Sequence, residues 1–153
     1  MKVQEAAALA TEKSVKVLLY TIDRTPDDRL TWKPCETARS ALEVAAECAL
    51  VTGNWAEILQ TGACPPQDVY FQIFSRMSAI STREQVVQAL QDETSRLISV
   101  LRDISDERLQ DNLTVFWGES RPILSWLHWV AIHNTYHLGQ ICYIQRLYGD
   151  TVD

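Results

Sequence analysis

The chain has 153 residues, 46% of them apolar, with a formal net charge of -6 and a pI near 5.0. That size fits one domain whose core needs no disulfides, and the acidic balance lacks the clustered Lys and Arg with which proteins meet nucleic-acid phosphates. No apolar run approaches the ~20 residues of a membrane-spanning helix, and the opening Met1-Lys2-Val3-Gln4-Glu5 is too polar for a secretory signal, so a cytoplasmic protein is expected.

Five glycines and five prolines collect between periodic segments and punctuate four helices. The first, over roughly residues 3 to 23, repeats Ala7, Thr11, Val15, Leu18 and Ile22 at spacings of three or four, which keeps them on one face. The second, over roughly 38 to 60, sets Ala41, Val44, Ala45, Cys48, Val51, Trp55 and Ile58 on one wedge before Gly62 and Pro65-Pro66 stop it. A long connection follows and leaves room for a crossover.

Ser81 and Glu84 have the spacing of a capping box that opens the third helix, which is expected to bury Val87, Leu90, Leu97, Leu101 and Ile104. Leu113 to Trp117 reads as a short extended segment that Gly118 turns. The fourth helix is expected to open near Ser120, with Pro122 in its first turn, and to run to about Tyr148 before Gly149 closes it. The fold class expected is all-α, a single four-helix bundle over residues 1 to 153. Cys35, Cys48, Cys64 and Cys142 form no CxxC pair and read as reduced thiols, two of them inside apolar stripes.

Within the fourth helix, Ile123, Leu127, Val130, His133, His137, Ile141, Ile144 and Leu147 follow one stripe, so two histidines stand where core residues belong. Their separation of four stacks the imidazoles one turn apart, near enough to share an ion. The same pattern also occurs as a purely structural pair. His128 lies off the stripe and reads as a surface or edge residue.

A third ligand must come from another helix, and the second offers Glu47 and Cys48. An inward carboxylate at 47 is costly unless paired, whereas a buried neutral thiol at 48 is an ordinary core residue. Periodicity does not choose between them. Gln140, one turn after His137, has the position to orient a ligand, and Tyr136 and Asn54 are weaker candidates for the same surroundings. Gly139 would let a neighbouring helix approach closely. Trp55, Trp117, Trp126 and Trp129 read as core or pocket walls.

The tail His133-Asn-Thr-Tyr-His137-Leu-Gly-Gln140, with the amphipathic end that follows it, resembles the C-terminal signature of the DinB-like (YfiT-like) superfamily of metalloenzymes. Trp32-Lys-Pro34 and the stretch from Ala38 through Ser40 to Glu47 resemble the same family's entry into its second helix. The resemblance covers essentially the whole chain. Family members usually carry a histidine where Glu47 stands here, so the resemblance implies a ligand set of Glu47, His133 and His137 with positions open to water. Zinc or nickel is the expected ion, and iron or manganese also suits two imidazoles and a carboxylate.

What the resemblance implies for activity is a metal-dependent enzyme, a thiol-dependent transferase acting with a low-molecular-weight thiol or another small-molecule substrate, and a homodimer. The alternatives are a non-catalytic metal-binding module for stress response or interaction, and a metal-dependent hydrolase.

Overall fold

Helix α1 (Val3–Arg24) forms where the sequence repeats its apolar residues, and Ala7, Thr11, Val15, Leu18 and Ile22 are all buried along it. The structure, a computed structural model, describes residues 1–151. After α1 come a short α2 (Asp27–Leu30), the long α3 (Ala41–Thr61), a short α4 (Gln67–Phe71) running into a 3-10 turn (Gln72–Ala79), and the long α5 (Arg83–Asp103). Strands β1 (Asn112–Thr114) and β2 (Ser120–Pro122) then pair as an antiparallel hairpin, and α6 (Trp129–Leu147) completes the bundle. Among the described residues no helix is long and apolar enough to cross a membrane.

The caps explain where the long helices start and stop. Ser40 accepts the amide of Glu43, while Glu43 Oε2 accepts the amide of Ser40 at 2.8 Å, a reciprocal capping box that opens α3. Gly62, in the left-handed region at φ 73°, closes that helix by donating to Ile58 O. The box at α5 lies one residue later than the sequence spacing places it. Thr82 is the N-cap and Gln85 its partner, because Gln85 Oε1 accepts from the amides of both Ser81 and Thr82.

The start of α6 is also displaced from the expected Ser120 to Trp129. Ser120, Arg121 and Pro122 pair with Thr114, Leu113 and Asn112, and Ile123–Trp126 make a 3-10 turn before the helix. The extended segment expected at 113 to 117 is thus half present, as β1, and Gly118 makes its turn at φ 89°. On α5, Val86 is fully buried while Val87 is half-buried, and Leu147 at the end of α6 is exposed.

Around the bundle the order is α1, α5, α3, α6, with α1 and α3 on a diagonal. Glu5 near the start of α1 pairs with Arg102 at the end of α5, so these two run antiparallel. Gln145 near the end of α6 donates to Thr21 O near the end of α1, so those two run parallel. Trp55, late in α3, stacks on Trp129 at the start of α6, so α3 opposes α6 and runs parallel to α5. Two parallel neighbours cannot be joined by a tight turn, which is why residues 62 to 82 travel the length of the bundle between α3 and α5.

The apolar interior comes in two parts. One gathers Leu50, Trp55, Leu97, Trp126 and Val130; the other gathers Leu18, Ala45, Cys48, Leu90 and Ile141. On α6, His133, Asn134 and His137 fall between Val130 of the first part and Ile141 of the second. Glu47 sits near the same seam on α3 and is the one charged residue among that helix's sixteen buried positions.

Candidate metal centre

The Nε2 atoms of His133 and His137 lie 3.1 Å apart, and Glu47 Oε1 lies 3.8 Å from the first and 3.4 Å from the second. These three are the group of potential ligands found among the described residues, with every donor atom within 4.8 Å of the others. An ion about 2.1 Å from each of three donors at tetrahedral angles requires donor separations of roughly 3.4 Å. The three residues therefore fit a divalent ion without rearrangement of the backbone.

Each arm is fixed by its helix. A separation of four residues on α6 stacks the two imidazoles, whose ring centroids are 4.4 Å apart. α3 crosses opposite and presents Glu47, of whose side chain only 12% is exposed. Burial pulls the His133 pKa down to about 4, with the neighbouring His137 adding to the effect, and burial lowers that of His137 as well. Both rings are therefore neutral near pH 7, which is the form that ligates.

The proton arrangement on His137 follows from its neighbours. The Arg39 guanidinium can only donate, and its Nη2 lies 3.1 Å from Gln140 Oε1, which identifies that atom as the amide oxygen. The same oxygen is 2.8 Å from His137 Nδ1 and must accept a hydrogen bond from it. With the proton on Nδ1, the Nε2 lone pair points at His133 and Glu47. This is the second-sphere arrangement that prepares an imidazole to bind a metal.

Arg39 itself was not singled out by sequence reasoning. The second helix, expected from about residue 38, begins only at Ala41, so Arg39 stands before the Ser40 cap, and its guanidinium forms an ion pair with Glu47 as well as the bond to Gln140. Asn134, fully buried beside His133, was also missed. It shares the inward wedge of α6, and a wider apolar arc drawn through Val130 and Ile141 would have included it.

The other candidates are placed differently. The Cys48 thiol is fully buried in the apolar part that includes Leu18 and Ile141, and burial pushes its pKa up to about 12, so it is a protonated core thiol outside the donor group. Asn54 lies nearly two turns further along α3, in a small recess with Glu57 and Glu93. The Tyr136 ring meets His137 edge-on at 5.1 Å and is otherwise exposed. Gly139 is exposed, and a methyl group there would meet nothing within 4 Å, so among the described residues no other helix packs closely against it. His128 is exposed, as its place off the stripe implies. Trp55 and Trp126 are core residues, whereas Trp117 is 43% exposed.

A cavity of about 520 Å³ opens between the segment leading into α3 and the outer part of α6, and none of the three donors lines it. Arg39 and Gln140 belong to both the cavity wall and the hydrogen-bond network of the donors, and Tyr143 and Ile144 form part of the remaining wall.

Known structures share this architecture at low sequence identity. YfiT from Bacillus subtilis, described as a probable metal-dependent hydrolase with an unusual four-helix bundle topology, superimposes with a TM-score of 0.78 at 14% identity, covering 95% of this chain and 87% of that one. A DinB-like protein, YjoA, from Bacillus subtilis gives 0.71 at 16% identity over 97% and 95% of the two chains. A mycothiol-dependent maleylpyruvate isomerase gives 0.72 at 11% identity; 92% of this chain is covered but only 61% of the isomerase. No match was found among curated proteins. The family model for the DinB superfamily matches residues 10–141. A match over that span, together with the shared bundle, shows that this chain belongs to the DinB superfamily.

Proposed function

We propose that Glu47, His133 and His137 bind one divalent ion, zinc or nickel in first place, and that the protein is a metal-dependent enzyme acting on a low-molecular-weight thiol or another small substrate. The observation that carries this reading is the set of donor distances, 3.1, 3.4 and 3.8 Å, combined with an His137 tautomer that leaves Nε2 free. A divalent ion there supplies Lewis acidity and brings the pKa of a bound water or thiol toward neutrality.

The chain's own residues do the rest. Gln140 holds the His137 proton on Nδ1, and the apolar surroundings keep both imidazoles neutral. Three donors, with Cys48 outside the group, support an open site rather than the closed four-ligand site of a structural zinc. The cavity walled by Arg39 and Gln140, which contact Glu47 and His137, supports a small-molecule substrate at this centre. The mycothiol dependence of one structural neighbour supports the thiol reading, and the description of YfiT as a probable hydrolase supports the second reading, a metal-dependent hydrolase.

A homodimer belongs to the same proposal. It is supported by Ile132 and Tyr136, which stand out from α6 at 64% and 65% exposure beside a groove shared with α1. Sedimentation at micromolar concentration tests it.

Elemental analysis of protein purified without a histidine tag tests the metal centre. About one equivalent of a transition metal is expected, and no uptake even on titration would overturn it. A screen of bacterial thiols with electrophilic acceptors then separates the two activities: turnover with a thiol supports the transferase, and ester or amide hydrolysis without one supports the hydrolase.

A further inference from the structure

The Arg39 guanidinium has two partners and a third, open side. It pairs with Glu47, donates to Gln140 at 3.1 Å, and remains 38% exposed on the wall of the cavity, where it is the sole charged side chain among the described residues. Glu47 is also the carboxylate that the metal reading assigns to the ion. Glu47 turns Oε2 to the guanidinium and Oε1 to the two imidazoles, so an ion bound at Oε1 would draw on the same single negative charge that holds Arg39. Once an ion with two imidazoles and Glu47 carries net positive charge, the nearby guanidinium is repelled rather than held.

We propose that Arg39 is an anion receptor for a ligand bearing a carboxylate, restrained by Glu47 in the metal-free protein and released toward the cavity when a divalent ion takes Glu47. The inference rests on the metal centre proposed above. The planar guanidinium fork matches a carboxylate with two parallel hydrogen bonds. The cavity continues past Arg39 along Tyr136, Tyr143, Ile144 and Leu147, which suit an apolar or aromatic body. The substrate class is thus a small organic acid with an apolar portion, and, for a thiol-dependent reaction, a thiol that also carries a carboxylate.

Two probes of nearly equal shape test this, 3-phenylpropanoate and its neutral amide, titrated into the protein and followed by NMR or calorimetry. With zinc-loaded wild type the acid is expected to bind about tenfold more tightly than the amide, as a charge-assisted bidentate contact requires. In the metal-free protein that preference should fall below about twofold, since Glu47 still holds the guanidinium. Zinc-loaded Arg39→Met should lose the preference, and Arg39→Lys should keep part of it, which covers the case in which the methionine variant fails to fold.

An acid preference that survives in zinc-loaded Arg39→Met would mean that the ion itself takes the carboxylate, and equal preference with and without zinc would mean that no release occurs; either overturns the proposal. Normal zinc binding by wild type with no acid preference overturns the receptor alone. Wild type that takes up no zinc overturns the metal centre, and the release with it.

Discussion

Gln140 Oε1 lies 2.8 Å from His137 Nδ1, and because the same oxygen also accepts from Arg39, the amide cannot rotate to offer its NH2 to the ring without losing that bond. The tautomer of His137 is therefore set by a residue one turn further along α6. Replacing Gln140 by Leu removes the acceptor and lets the proton move to Nε2, where it blocks ligation. Zinc affinity should fall about 10- to 100-fold, the usual effect of deleting such a partner. Competition against a fluorescent zinc chelator measures this, and an unchanged affinity would show that the tautomer is set elsewhere.

A second expectation concerns pH. The His133 pKa is pulled from 6.5 down to about 4 by burial, and that of His137 is lowered for the same main reason. In the unfolded chain these imidazoles take up protons near pH 6.5 while the folded rings stay neutral, so acid favours unfolding. The metal-free protein should hold its full stability above pH 6.5 and lose part of it progressively as the pH falls toward 4, on the order of a few kcal/mol in all. Urea titrations across this range, compared with His133→Leu, check it: the variant should show a flatter dependence.

Removal of the ion should leave the bundle folded. Its apolar interior is built from α1, α3, α5 and α6 without help from the donors. An ion present at 100 times its Kd adds roughly 2.7 kcal/mol, and each kcal/mol shifts Tm by about 2–4 °C for a chain of this size. Chelation should lower Tm by about 10 °C or less while the helical circular dichroism persists at 25 °C. Loss of that signal on chelation would identify a structural ion instead.

Arg83 ties the start of α5 to the end of α1. Its guanidinium reaches the carbonyl oxygens of Ile22, Asp23 and Thr25 and pairs with Asp27 at 2.7 Å, so it adds a donor to carbonyls at and just beyond the end of α1. Arg83→Met should cost about 1–3 kcal/mol, the range for losing charge-assisted hydrogen bonds to partly buried acceptors. Urea denaturation gives the value, and zinc affinity should be unaffected.

Gly139 offers a test in the opposite direction. It lies inside α6 with open space around it, so alanine fits without a clash and spares the backbone entropy that glycine loses on folding. Gly139→Ala should stabilise the protein by about 0.5–1 kcal/mol. Destabilisation would show that another molecule packs closely at this point.

How much of this was legible in the sequence depended on whether the deciding interaction was local. The faces of α1 and α3 followed from residues three and four apart, and so did the stacking of His133 over His137, because helical geometry alone fixes those relations. The start of α6 was misread because Ser120 to Pro122 take their conformation from pairing with Asn112 to Thr114, a partner that no spacing of three or four reveals. At α5 two overlapping capping boxes were present, and the choice of Thr82 over Ser81 turned on one glutamine oxygen reaching two amides. Arg39 fell inside the expected second helix but not on its apolar wedge, and only the packing of α3 against α6 brings it to both Glu47 and Gln140.

The two helices that carry Glu47 and the histidine pair, α3 and α6, are far apart in the sequence, and residues 62 to 128, including the long passage from residue 62 to 82, are synthesised between them. On the ribosome, Glu47 emerges well before His133 and His137. If these residues hold an ion as proposed, a nascent chain has no complete binding place for it until α6 has cleared the exit tunnel and docked, and loading would follow folding rather than guide it.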